Sequence, residues 1–452
     1  MGAPDNVSED VQSSTTHVPL LDGLRGAAIL LVLASHAIAE PLEYRVTSLD
    51  SVVKAAIGTG WIGVDLFFVL SGFLVTGILL DTKGQRRWWS NFVARRALRI
   101  FPLYYGALML LFVVLPHVIR WSDPEFATLQ ANQRWYWTYA VNWLTGLYGA
   151  RSTPLHTSHL WSLSIEEQFY LIWPLVVWAC SPRGLLRVCA LTIIGGFVFR
   201  LALVTHDPDN AFAAFLLTPG RLDALMTGAA LAVIIRAPSG LARLGAWAPW
   251  ALRAGAFGLG ALAAWRGGLE LHDPVIAVAI YPIVALIFGA LLAKAVAAPP
   301  AHRLARMLSG VSLRKWGKYS YAIYLVHYPV LGALEWKTSF YHQGVSWLGG
   351  SRIPAVLVLA VVVAALSYVF AWLSYHFYEK RFLALKRYFA PDGELFSKRS
   401  RESSHRSPSW PNTLAPGLLV QKGTLAEGEH QRPQQQRPPR PAKHSVDDGR
   451  RA

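Results

Sequence analysis

Four stretches of the chain place ionisable groups inside long apolar runs. A charge near the centre of a bilayer costs about 2.5–3.5 kcal/mol on insertion scales, so each such group needs a reason. The first stretch, LDGLRGAAILLVLASHA, sets Arg25 and His36 eleven residues apart. On an α-helix that spacing is roughly 16 Å of rise and about 20° of net rotation, so both side chains project from one face. A fixed guanidinium at the mouth of a span with a titratable imidazole three turns deeper suits an anionic donor that docks at the arginine and reacts at the histidine. An arginine that snorkels to the headgroups, with a histidine that only bonds a neighbouring helix, gives the same pattern.

The second stretch, WIGVDLFFVLSGFLVTG, buries Asp65 about one turn from its outer end, among glycines (Gly63, Gly72, Gly77) that allow close backbone approach. Asp65 is expected to pair with a cation or a protonated histidine, and His36 is the nearest candidate by depth. Such a pair would orient the imidazole; a purely structural ion pair is the alternative. The third stretch, NFVARRALRIFPLYY, gathers Arg95, Arg96 and Arg99, with Arg95 and Arg99 on one helical face. Arginine binds phosphate bidentately, so the cluster fits a polyphosphate, although positive-inside topology also places arginines there. The fourth, HLWSLSIEEQFYLIWP, carries Glu166 and Glu167 beside Trp161, Phe169, Tyr170 and Trp173. A carboxylate there can serve as general base or anchor a sugar hydroxyl, and carbohydrates pack on aromatic faces. The same segment also reads as a helix start, with Ser164 as cap and acids in the first turn. Arg200, Arg221 with Asp223, His327 and Glu379 read first as helix-end or ion-pair residues.

These groups need elements that hold them in lipid. The hydrophobic share is 53%, only 15% of residues are charged and mean hydropathy is +0.32. Soluble domains are about 25% charged, so the composition excludes an ordinary cytosolic enzyme. Apolar runs near the 20 residues needed to span a bilayer fall at about 20–40, 61–81, 98–116, 168–181, 188–205, 211–235, 247–265, 274–296, 319–335 and 353–377. The expected fold is therefore all-α, a polytopic membrane bundle of about ten transmembrane helices. The aromatic segment 135–148 suits the interface better than the core. With the N-terminus inside, the inner loops hold 17 Lys and Arg against 8 in the outer loops, which favours both termini in the cytoplasm.

The net charge of +16 follows from that loop asymmetry, and no soluble domain is left to bind nucleic acid. The two cysteines, Cys180 and Cys189, supply neither a disulfide framework nor a Cys-rich metal site. Residues 1–17 lack the basic and apolar regions of a cleaved signal peptide and are expected to stay as a polar cytoplasmic segment. The membrane domain is expected over 18–389. Residues 390–452, rich in Ser, Pro, Gln and Arg, read as a disordered cytoplasmic tail that is either plainly solvated or touches anionic lipid.

Taken together, LDGLRGAAILLVLASHA, GVDLFFVLSGFL, RRALRIFPLYY, HLWSLSIEEQFYLIWP, GRLDALMTGA and SYAIYLVHYP resemble, in the same order, the acyltransferase-3 family of integral membrane proteins. The likeness spans about residues 18–385. It implies a ten-helix core in the plasma (inner) membrane that moves an acyl group, usually acetyl, from cytoplasmic acyl-CoA to a hydroxyl of an extracytoplasmic or lipid-linked carbohydrate. By the family's arginine-x10-histidine motif, Arg25 and His36 form a functional pair, with His36 as base or acyl relay. Asp65 matches the acid of the family's G-V-D-x-F-F stretch. Arg95, Arg96 and Arg99 match its basic cluster, implied to hold CoA phosphates, and Glu166 and Glu167 match its E-E-x-F-Y stretch on the acceptor side.

Two departures stand out. Many members carry a C-terminal extracellular SGNH hydrolase-like domain that completes the transfer, whereas a polar tail is expected here, so a separate periplasmic or extracellular transferase is an expected partner. The last span ends YEKRF, where relatives often place a proline after Glu-Lys, which weakens any role for Glu379.

The expected activity is acyl-CoA-dependent O-acyl transfer by His36, Asp65, Glu166 and Glu167, with Arg25, Arg95, Arg96 and Arg99 on the donor. Its partners are acyl-CoA, a carbohydrate acceptor and the bilayer, without nucleic acid and without a metal. A secondary transporter using Arg25, His36 and Asp65 as a proton relay is the alternative, although no half-repeats support it. A non-catalytic partner for a separate transferase is a third.

Overall fold

Inside a bilayer, a chain satisfies its backbone amides only within helices or a closed barrel. This chain takes the first solution. The computed structural model describes residues 19–44, 47–118, 124–338 and 350–389, all helical or loop, with no β-strand among them. The expected N-terminal segment and tail lie outside the described residues.

Among the described residues the longer helices are α1 Pro19–Ala34, α2 Gly63–Thr82, α3 Trp88–Met109, α4 Trp161–Ala179, α5 Pro182–His206, α6 Leu222–Ile234, α7 Gly240–Arg266, α8 Pro274–Ala297, α9 Val311–Thr338 and α10 Ile353–Ser374. Among the described residues, six segments are long and apolar enough to cross a membrane: Pro19–Ala39, Ser48–Thr82, Trp88–Val118, Pro182–His206, Pro274–Ala297 and Ile353–Phe389. The runs expected at 168–181, 247–265 and 319–335 are helical too, in α4, α7 and α9, but fall short of that mark in length or apolar content, while the run expected at 211–235 is broken into a short helix Ala211–Leu216, a tight turn Thr218–Arg221 and α6. The aromatic stretch 135–148 breaks into two short helices, Gln133–Trp137 and Val141–Tyr148, neither long enough to span.

Two close helix pairs position the site. A Cβ added at Gly26 would lie 2.1 Å from the Leu313 carbonyl oxygen, and one at Gly317 1.8 Å from that of Asp22. Only glycine lets α1 and α9 approach backbone to backbone. At the α2–α6 crossing a Cβ at Gly72 would lie 1.9 Å from the Leu225 oxygen, and one at Gly228 2.0 Å from that of Val69. Small residues at such crossings are the usual means of packing helices in lipid, where no hydrophobic force draws them together.

Beyond Ala34, α1 continues through a π-helical turn, Ser35–Ala39, that carries His36. Such single turns insert an extra residue and recur at functional sites.

Candidate active site

The cytoplasm-facing end assigned to α1 from the sequence opens into a cleft of about 730 Å³, counting the space open to solvent. Five helices supply its polar lining: Arg25 from α1, Ser71 from α2, Arg96 and Arg99 from α3, Ser162, Glu166 and Tyr170 from α4, and Ser320 from α9. Tyr321 and Tyr324 of α9 close one side.

Arg25 is held by Asp22 at 3.3 Å. The Arg96 guanidinium lies 4.6 Å from the centre of the Tyr170 ring, a cation–π contact that keeps the charge over the cleft. The Tyr170 hydroxyl lies 2.6 Å from Ser71 Oγ, and both hydroxyls donate to the Glu166 carboxylate. Glu166 is thus tied into the cleft that Arg25, Arg96 and Arg99 line.

Arg95 and Glu167 do not line this cleft. The charges of Arg99, Arg96, Arg95 and Arg25 all act on Lys386, in the turn Leu385–Phe389. The basic cluster therefore has a fifth member that arginine spacing alone did not reveal. Glu167 lies within electrostatic reach of Glu166 and Arg96 and of the tyrosine group formed by Tyr104, Tyr105 and Tyr139.

Above the cleft stands a histidine cluster. His36 Nδ1 lies 3.0 Å from His327 Nε2, although 291 residues separate the two. His327 Nδ1 reaches the carbonyl oxygens of Tyr324 at 2.7 Å and Ile323 at 3.2 Å. The His159 ring centre is 5.3 Å from that of His327. On the far side of His36 the Tyr328 ring lies 4.6 Å away, centre to centre, and its hydroxyl donates to Glu40 at 2.6 Å. His156 also packs edge-on against Tyr328 and its Nε2 meets Glu335 at 3.0 Å. In this loop outside the spans, burial alone would favour neutral His156. The hydrogen bond and charge of Glu335, with Glu40 and Glu125 beyond, outweigh that and raise its pKa above the ordinary histidine value.

Arg25 and His36 thus stand on one helix, but only Arg25 is among the residues lining this cleft. Arg25 faces the cleft, while His36 meets it through His327 and Tyr324, whose ring lines the cleft and whose carbonyl holds His327.

The expected Asp65–His36 pair does not form. Arg221 NH2 lies 3.1 Å from Asp65 Oδ1 and 3.2 Å from Oδ2, both groups fully buried. The glycine crossing of α2 and α6 brings Arg221, at the foot of α6, to the first turn of α2, whereas His36 lies past the end of α1 and faces α9. Arg221 is walled in by the rings of Tyr281, Phe215 and Trp161 at 4.2, 5.0 and 5.3 Å. Beside it, Arg200 NH1 meets Asp223 at 2.6 Å. Together the two pairs form a buried ion-pair network, and none of its four residues is among those lining the cleft.

The family described as an acyltransferase domain matches residues 18–372. The chain belongs to the acyltransferase-3 family. It is 29% identical over 337 residues to the peptidoglycan O-acetyltransferase OatA of Listeria monocytogenes, covering 70% of this chain and 50% of that protein. It is 29% identical over 397 residues to O-acetyltransferase OatA of Staphylococcus aureus, covering 81% and 57%. The putative peptidoglycan O-acetyltransferase YrhL of Bacillus subtilis is 29% identical over 396 residues, covering 80% and 54%. The chain therefore spans about half the length of these curated relatives. No solved structure matches it.

Proposed function

We propose that this multi-pass membrane protein of the acyltransferase-3 family is an O-acyltransferase, moving an acyl group, most simply acetyl, from cytoplasmic acyl-CoA to a hydroxyl of a cell-wall or other surface carbohydrate. The observation that carries this reading is the convergence of Arg25, Arg96 and Arg99 on one cleft whose aromatic wall leads to His36. Names of relatives from three bacteria, each an O-acetyltransferase, support the acyl chemistry and a peptidoglycan-like acceptor.

In this reading the CoA phosphates rest on Arg96, Arg99 and Arg25, with Lys386 and Arg95 adding to the field. The thioester lies toward His36. His36 takes the proton of the acceptor hydroxyl as its oxygen bonds to the acyl carbon. The C–S bond then breaks, and the departing thiolate takes that proton back from the imidazole. Asp65 belongs to the scaffold in this scheme, and Glu166 holds Ser71 and Tyr170 at the cleft. The inner membrane, with both termini in the cytoplasm, is the location that the basic loops support.

The test uses the purified full chain in nanodiscs with radiolabelled acetyl-CoA and a glycan acceptor. Label transferred to the glycan, lost in His36→Ala while folding and insertion persist, is the expected result. Wild-type transfer by His36→Ala would overturn the role of His36. Flux of substrate across the bilayer without covalent change would replace the enzyme by a carrier.

A further inference from the structure

The hydrogen bonds around His36 have a direction, and it can be read from acceptors that cannot donate. The two oxygens facing His327 Nδ1, from Tyr324 at 2.7 Å and Ile323 at 3.2 Å, are backbone carbonyls. A carbonyl only accepts, so Nδ1 of His327 carries a proton. In a neutral imidazole the other nitrogen is then an acceptor. His327 Nε2 faces His36 Nδ1 at 3.0 Å, so His36 Nδ1 must donate to it. His36 in turn keeps its lone pair on Nε2. His327 is buried, 1% exposed, and its ring is boxed by Tyr324, His159 and Tyr328, so it cannot turn over without losing both carbonyl contacts.

We infer that His327 is a positioning residue that fixes His36 in the Nδ1–H tautomer and makes Nε2 the nitrogen that takes the acceptor's proton. The inference rests on the proposed role of His36 as base. It assigns to the backbone of α9 the task that a carboxylate performs in a Ser-His-Asp triad. When His36 Nε2 gains a proton, its Nδ1–H still points at a lone pair on His327, so the imidazolium that forms is stabilised without a net charge on its partner. No carboxylate oxygen bonds either ring among the described residues.

The experiment has one arm that does not depend on activity. Histidine-selective 15N solid-state NMR of the full chain in lipid, with the His36 signal assigned by difference against His36→Ala, reads the tautomer directly. His36 protonated at Nδ1 is expected; a His36 protonated only at Nε2 overturns the inference whatever the activity shows. The second arm compares His327→Gln with His327→Ala. A glutamine carbonyl placed where Nε2 stood still accepts from His36, whereas alanine offers nothing. His327→Ala should lose about 100-fold in kcat, within the usual range for general-base catalysis, with KM for acyl-CoA within twofold of wild type. His327→Gln should recover at least tenfold of that loss. Equal activity of the two variants, or a loss confined to KM, overturns the positioning role. If His327→Ala does not fold, the tautomer measurement and His327→Gln against wild type decide. Should His36→Ala prove active while His36 is Nδ1-protonated, the base assignment fails and the tautomer assignment survives.

Discussion

At the scale of single residues, the buried pair Asp65–Arg221 makes a prediction about stability. A buried charge whose partner is removed costs about 3–5 kcal/mol, while replacing both partners by apolar groups is often neutral. Asp65→Asn should therefore lower the melting temperature of the solubilised chain substantially, by a loss on that order, and Asp65→Leu with Arg221→Met should restore most of it. Per folded molecule, Asp65→Asn should keep its KM for acyl-CoA. An Asp65→Asn chain that melts like wild type yet transfers no acyl group would return Asp65 to the chemistry. The cleft arginines should behave in the opposite way. Arg96→Ala or Arg99→Ala should raise KM for acyl-CoA about tenfold, in line with the loss of one charged hydrogen bond. The melting temperature should barely move, and the effect should shrink in high salt because charges in a cleft open to solvent are partly screened. A KM that ignores both substitutions would remove the phosphate assignment.

At the scale of elements, the loop before α4 is strapped to α9 by His156 and Glu335. Leu155 and His156 both adopt left-handed backbone conformations, φ 56° and 53°, which costs about 1–3 kcal/mol each unless the surroundings enforce it. The charged contact is part of that enforcement. Since the folded-state pKa of His156 is raised, the strap contributes fully below the unfolded value near 6.5 and is lost as pH climbs through the folded value. Hydrogen exchange over residues 149–160 should accelerate between pH 6 and pH 9 beyond the intrinsic base catalysis, and Glu335→Gln should remove that excess. Identical excess in wild type and Glu335→Gln would mean that another contact holds the loop. The α2–α6 crossing makes a harsher prediction. Gly72→Val places a side chain where a backbone oxygen already lies 1.9 Å away, so the helices must separate and monodisperse protein should not be recovered. Recovery of wild-type yield and melting temperature would show that this crossing is not as close as described.

At the scale of the whole molecule, what could be read from the sequence was what travels along one helix. Apolar runs gave the helices, and the arginine spacing in α3 gave two residues of the cleft, because both signals are local. The companions of those residues were out of reach. Nothing local tells that Arg221 lies beside Asp65, since a crossing of glycines 156 residues apart, Gly72 and Gly228, decides it. Depth alone pointed to His36, and depth ignores which way a helix faces. Ser320, Tyr324 and His327 do fall on one face of α9 at helical spacing, a signal that read singly looked like a helix end. Lys386 was invisible for the same reason: its neighbours are arginines nearly three hundred residues upstream. Glu167 shows the converse limit, an adjacent carboxylate with the same local signature as Glu166 that does not line the cleft and acts on Tyr104, Tyr105 and Tyr139 as well as on Arg96.

The two imidazoles come from α1 and α9, near opposite ends of the described chain. During synthesis at the ribosome, the first histidine enters the bilayer long before the second has been translated. On the proposed function, a nascent polypeptide would carry the cleft arginine but an undirected imidazole. The pairing that directs the imidazole would form only when the ninth helix inserts against the first, so the proposed transfer would await completion of the fold.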